Sequence, residues 1–365
     1  MLSSPRLPLP RRVLPRTGAL LMILMLALST FGMAPAVAQE GRPACAPLAS
    51  GTPAATPPAP VEIPPVRVPE DATTIKVGFM PLSIYAPIYV ALDKGYYAEQ
   101  GLDVQLSSFT NGTDMTVLTS TNELQIGLTG VGPAFWNAID QGLPLTIIAP
   151  GHAEGSPVAS PLMISRKACE EGTITSVADL KGKRVSVNAP GGTEFWLDAA
   201  LRTGGLTIED VDLQFLTFPD AVTALDAGAL DAAIVGEPVA TQAEQQGLAV
   251  RLLPDFPVQN IQPTMVFANN GWLEENPEAA AGFVAAYLKA SRDLMENPND
   301  PLNLAIINKY TDVPAELVAA SVKPVYAEDG HIDLDSLDQL QAFFGNRGLL
   351  EYDEPFDPAS IVDTQ

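Results

Sequence analysis

From residue 74 to residue 253 the chain alternates short apolar runs with segments of helical length, and nothing else in it constrains the fold as much. IKVGFM, GLDVQLSS, LQIGLTG, LTIIAPG and PLMISRK read as strands of a first series, and KRVSV, VDLQFL, DAAIVG and AVRLL as strands of a second. The helical segments between them include IYVALDKG, TDMTVLTS, EFWLDAALRTGG and the stretches 133–142 and 219–228. Pro133 opens one of these and Gly142 closes it, the usual asymmetry of a helix that starts on a fixed φ and ends on a left-handed residue. Strands alternating with helices build βαβ units and mostly parallel sheets, so the class is α/β. Residues 114–124 and 220–230 echo one another: each runs as helix, turn, leucine and then an apolar strand. Two similar lobes account for that echo. After Asn270 the pattern turns helical (NPEAAAGFVAAYLKASRDLM, PLNLAIINKY, PAELVAASV, DSLDQLQAFF), as expected of an outer layer.

Open α/β sheets bind ligands beyond the carboxyl ends of their strands, where glycine loops meet helix N-termini. Four such places stand out: Pro81 to Tyr85 with Ser83 between them, Thr129-Gly130-Val131-Gly132, Gly191-Gly192-Thr193-Glu194, and Gly236-Glu237-Pro238. Glycines there also serve plain turn geometry. Trp136 and Trp196 sit in the first turns of the helices that follow two of these loops, where a ring either anchors the core or touches a ligand. Glu194 and Glu237 at helix N-termini are favoured by the dipole alone. Facing a cleft, they would repel an oxyanion, and none of the four loops holds Lys or Arg. That favours a neutral or cationic ligand with aromatic stacking.

The composition removes other classes. Twenty Lys and Arg against 43 Asp and Glu give a net charge of −23, the wrong field for gripping nucleic acid or an anionic membrane. Two cysteines and two histidines leave no Cys/His metal cluster, and no catalytic triad, P-loop or G-x-G-x-x-G is present. His152 follows LTIIAPG, where the chain leaves the first lobe, and His331 lies in a polar turn.

At the start, Arg6, Arg11, Arg12 and Arg16 precede GALLMILMLALSTFG and a small-x-small Ala36-Val37-Ala38, which reads as a signal peptide over 1–38. Its loss leaves −23 less four positive charges, −27. Residues 39–73 are Pro/Ala-rich and read as a tether. Export to an oxidising compartment would let Cys45 pair with Cys169. Cys45 lacks the aliphatic residue that lipid anchoring needs ahead of it.

The residues KVGFMPLSIYAPIYVALDKGYYAEQGLDVQL, LQIGLTGVGPAFWNAIDQGLPL, DLKGKRVSVNAPGGTEFWLDAAL and LDAGALDAAIVGEP, in this order, resemble the extracytoplasmic solute-binding proteins of ABC importers. The group is the one that takes up nitrate, sulfonates, taurine, thiamine-pyrimidine precursors and riboflavin, and the likeness runs over 74–350. The resemblance implies a two-lobed periplasmic-binding-protein fold of type II, crossovers near 153–160 and 253–262, lobe 1 from 74–155 plus 260–365 and lobe 2 from 156–259. It implies ligand contacts at Ser83, Tyr85, Thr129, Gly130, Gly192, Thr193, Glu194 and Glu237, with His152 and Asn260 near the crossovers. It further implies an exported monomer with no cofactor, a small-molecule ligand, and a membrane permease as partner. The family's fungal pyrimidine synthase uses a cysteine cluster that is absent here, so no reaction is expected. The ligand expected is a heteroaromatic vitamin or precursor such as riboflavin or a thiamine-type pyrimidine; the alternatives are alkanesulfonate, taurine or nitrate, and last a pyrimidine-synthase-like enzyme.

Overall fold

The computed structural model describes residues 61–363. The signal peptide over 1–38, the tether up to residue 60 and Cys45 lie outside the described residues. Twelve strands are present among the described residues: β1 (Thr73–Phe79), β2 (Leu102–Ser108), β3 (Ile126–Gly130), β4 (Leu145–Pro150), β5 (His152–Ala153), β6 (Leu162–Ser165), β7 (Arg184–Val187), β8 (Asp212–Phe215), β9 (Ala232–Ile234), β10 (Ala249–Leu253), β11 (Thr264–Asn269) and β12 (Val325–Tyr326).

They form two five-stranded sheets with the same plan. The first runs β2-β1-β3-β11-β4 and the second β8-β7-β9-β6-β10. In each, the first three strands are parallel, and the fourth enters antiparallel between two partners. That fourth strand is in both cases the first one the chain makes after crossing between lobes: β6 follows β4 and β5, and β11 follows β10. A chain arriving from the other lobe enters without a crossover helix and therefore runs against its neighbours. Sequence periodicity gave no sign of β11, whose six residues are all buried and show no alternation. The echo between 114–124 and 220–230 falls on equivalent places, each leading into the central strand β3 or β9.

The two crossing segments touch in a parallel bridge, Glu154 to Gln259. Beside them β5 pairs with β12, which fastens the C-terminal helical layer to the first crossing. Each sheet buries its apolar residues under helices. Ile75, Val77, Ile88, Tyr89, Phe283 and Tyr287 belong to the first lobe's core. A second cluster joins Phe135, Trp136 and Phe267 of the first lobe to Val185, Trp196 and Leu197 of the second.

Three features depart from expectation. PLMISRK is a strand only to Ser165, after which Arg166–Glu170 is helical, with the Ser165 hydroxyl accepting from Ala168 N. The C-terminal helix Leu334–Asn346, expected in the outer layer of the first lobe, packs against both lobes. Phe343 meets Phe195 edge-on at 5.4 Å, Arg347 bonds Glu194 and Glu209, and Val362 bridges to Ile147 of β4. Residues 61–70, read as part of the tether, form no helix or strand but lie on the first lobe, with Ile63 packed on its core. Proline holds such a strip extended, which leaves its few apolar side chains free to adhere. Cys169 is buried and disulfide-bonded.

Candidate functional site

The carboxyl ends of β1, β3, β7 and β9 face one cavity of about 840 Å³, within the range of small-molecule sites. Nine of the expected residues line it: Ser83, Tyr85, Thr129, Gly130, His152, Gly192, Thr193, Trp196 and Glu237. Three do not. Trp136 is fully buried, donates its indole N–H to Val131 O at 3.0 Å and packs on Phe135 and Phe356, so it is a core anchor. Glu194 folds back to accept from Gly191 N at 3.0 Å and from Arg347 at 3.2 Å, away from the cavity. Asn260 is exposed in the second crossing, where its φ of +68° makes a turn and its N–H donates to Glu154 O.

The first-lobe wall is built around Thr129. A Cβ on Gly112 would come within 2.1 Å of the Thr129 hydroxyl, so only glycine lets the helix Gly112–Ser120 begin this close to β3. Asn111 caps that helix, accepting from Asp114 N at 3.0 Å. The Thr129 side chain also bonds the buried Tyr85 hydroxyl, whose pKa burial raises far above its ordinary value. Ser83 Oγ is buried with no partner. Across the cavity Thr193 donates to Asn188 Oδ1 at 2.7 Å, which fixes the loop that ends β7.

His152 is buried and its Nδ1 lies 2.8 Å from Thr264 Oγ1. Burial pulls its pKa from 6.5 down to about 4, so the ring is neutral at physiological pH. Glu154, next along the first crossing, accepts from Trp196 Nε1 at 2.7 Å and from Ala159 N at 2.5 Å. Burial raises its pKa, against the pull of those hydrogen bonds. This places the Trp196 ring in the cavity wall and ties its polar edge to the crossing.

Contrary to the expectation from sequence, neither Glu194 nor Glu237 presents an unpaired charge to the cleft. Glu237 is not an open carboxylate: Arg251 on β10 lies 2.5 Å away, Thr241 donates twice, and Val322 N of the opposite lobe donates at 3.3 Å. Arg251 also pairs with Glu244 at 3.0 Å, and its side chain is 3% exposed. Glu194 is offset by Arg347 in the same way. Both cations come from outside the four loops, so a search of those loops alone missed them. A third missed cation, Lys323, lines the cavity itself. Its ammonium donates to Val318 O, Ala319 O and Ser321 O, and burial lowers its pKa to about 8, opposed by Glu237. Asn111, Thr113, Thr264 and Phe218 are among the other lining residues that sequence reasoning passed over. The run Phe109-Thr110-Asn111-Gly112-Thr113 carried the same strand-to-helix signal as the chosen loops and was legible. Lys323 was not, because it follows a C-terminal helix far along the chain from the strand-end loops, and that context says nothing of a cleft.

Residues 83–300 match the model of the family described as NMT1/THI5 like. The chain belongs to that family. Among its relatives, the nitrate/nitrite-binding protein NrtA of Nostoc is 26% identical over 67% of this chain and 60% of its own length. The riboflavin-binding protein RibY of Chloroflexus aurantiacus is 28% identical over 72% of this chain and 73% of its own. The crystal structure of the periplasmic aliphatic sulphonate-binding protein SsuA from Escherichia coli superposes with a TM-score of 0.65 at 20% identity, covering 80% of this chain and 92% of that one. The fold is therefore that of periplasmic binding proteins, two α/β lobes about a cleft. The desulfurization enzyme DSZB shares it too, at a TM-score of 0.58 and 16% identity over 80% of this chain and 97% of that one. Among the described residues no cluster of His, Cys, Asp and Glu could hold a metal ion, and no helix is long and apolar enough to cross a membrane.

Proposed function

We propose that this protein is the exported solute-binding component of an ABC importer, and that it captures a flat heteroaromatic nutrient of the riboflavin or pyrimidine-precursor kind and hands it to a membrane permease. It catalyses no reaction in this reading. The lobes are 74–155 plus 260–365 and 156–259, and ligand entry draws them together about the two crossings, as hinge closure does in binding proteins. One observation carries the choice of ligand. The cavity of about 840 Å³ offers uncharged donors and acceptors from Asn111, Thr129 and Thr193 beside the Trp196 and Phe218 rings, while the ammonium that lines it is taken up by three backbone carbonyls. An oxyanion of four atoms would leave most of that volume to water and find no uncommitted cation, whereas a planar heterocycle fills it and stacks.

The spectrum of the protein as purified comes first, followed by thermal shift against riboflavin, a formylaminopyrimidine, thiamine, taurine, an alkanesulfonate and nitrate. A yellow protein, or a shift confined to the heterocycles, supports the reading. A shift with taurine, alkanesulfonate or nitrate alone would transfer the role to backbone amides and overturn the heteroaromatic ligand while keeping the transport role. Turnover of any of these compounds would overturn the binding-protein reading itself.

A further inference from the structure

The cavity does not stop at the strand ends. Met80, Ile84, Leu294, Ile307, Val318 and Tyr326 line it; the last four belong to the hydrophobic cluster of the first lobe, and Met80 and Ile84 pack against it. Four of these are at most 6% exposed, so the space they line runs in among the helices Pro277–Glu296, Pro301–Thr311 and Ala315–Ala320. Two polar groups beside that wall are already engaged. The Tyr326 hydroxyl is 3.4 Å from Ser83 O and 3.2 Å from Ile84 O, which ties the wall to the loop after β1. The Lys323 ammonium is turned onto the end of the helix Ala315–Ala320. Beside Ile84 in the chain, Ser83 Oγ lines the cavity and is buried without a partner. The loop that carries Val322 and Lys323 also lines the cavity, and Val322 N donates across the cleft to Glu237.

We propose that this apolar annex is a specificity subsite that receives an alkyl or aryl substituent of the ligand, while the heteroaromatic head stays at Asn111, Thr129 and Thr193. The inference rests on the ligand reading above and sharpens it: the substrate class is an amphipathic heterocycle with an apolar arm. Against Leu294, Ile307 and Val318 a polar arm would surrender its water to side chains that return no hydrogen bond, whereas an apolar arm gains by leaving water.

Two measurements on the wild-type protein test it. The first is a crystal under xenon pressure, since dry apolar cavities take up xenon. Xenon bound among Ile84, Leu294, Ile307 and Val318 supports the annex; ordered water there in place of xenon overturns it. The second is titration calorimetry with 1-alkyluracils from methyl to butyl. The expected result is an affinity that rises about fourfold per methylene. Binding of every uracil with equal affinity overturns the subsite. Xenon in the annex, with no uracil bound at any chain length and no thermal shift from riboflavin, the formylaminopyrimidine or thiamine, supports the annex and overturns the heteroaromatic reading on which it builds, which separates the two failures.

Discussion

At the residue scale, Glu237 shows how position in the sequence misleads about charge. Standing after β9 in a glycine loop, it looks like a group that selects ligands by repulsion, yet it spends its oxygens on Arg251, Thr241 and Val322. Its value is structural: Glu237→Leu leaves Arg251 buried with half its counter-charge and is expected to cost about 3 to 5 kcal/mol in urea unfolding. A loss under about 1 kcal/mol would mean that Glu244 alone balances Arg251. His152 gives a pH signature. The unfolded ring titrates near 6.5 and the folded ring near 4, so below pH 6.5 the unfolded chain takes up a proton that the folded chain refuses. Stability from this residue is complete above about pH 6.5 and is lost as pH falls toward 4, about 2 kcal/mol of it between about pH 7.5 and about pH 5. Unfolding curves of wild type and His152→Gln at those two pH values check this, and equal pH slopes would remove His152 as the cause.

At the scale of elements, the helix Leu334–Asn346 and the chain after it belong to neither lobe alone. Arg347 holds the buried Glu194 on one side and the exposed Glu209 on the other. The two pairs should differ in weight, since Glu194 is 2% exposed and Glu209 is 74% exposed. Arg347→Met is expected to lower stability by about 3 kcal/mol, by stranding a buried carboxylate. Glu209→Gln should change it by less than about 1 kcal/mol. Comparable losses from both variants in the same unfolding assay would contradict this account. Because Glu194 fixes the loop that presents Gly192 and Thr193, Arg347→Met should also weaken ligand binding, which calorimetry would register. The helices and most strands were legible because each carries its own periodicity. β11 and the short helix Arg166–Glu170 were not, since full burial on both faces erases alternation, and five residues are too few to show a helical repeat.

At the scale of the whole molecule, the two sheets share one strand plan, and two adjacent crossings join them. In the proposed role the lobes close on a ligand seated in the cleft, which stabilises the folded state only. At a hundred times its dissociation constant it is expected to add about 2.7 kcal/mol to unfolding. Small-angle scattering should record a smaller radius of gyration with ligand than without it. An unchanged radius beside a clear thermal shift would mean a cleft already closed. Oxidation state bears on the same frame: Cys169 is disulfide-bonded, and Cys45 is the only other cysteine in the sequence. A disulfide-linked Cys45–Cys169 peptide pair in a non-reduced digest is therefore the expected outcome, and two alkylatable thiols would refute that pairing.

The sequence by itself determined the α/β class, the doubled lobe, the family and the strand-end loops where seven of the expected residues meet a cavity. These follow from local pattern, because periodicity, glycine turns and helix starts are set by neighbours a few residues apart. Tertiary structure alone decided which carboxylates are already neutralised, which tryptophan faces the cleft and where the cavity continues. Glu237 with Arg251, Glu194 with Arg347, and Leu294 with Ile307 and Val318 are brought together from separate elements. The electrostatics and volume of a site depend on every group within a few ångströms, and chain order does not record that distance.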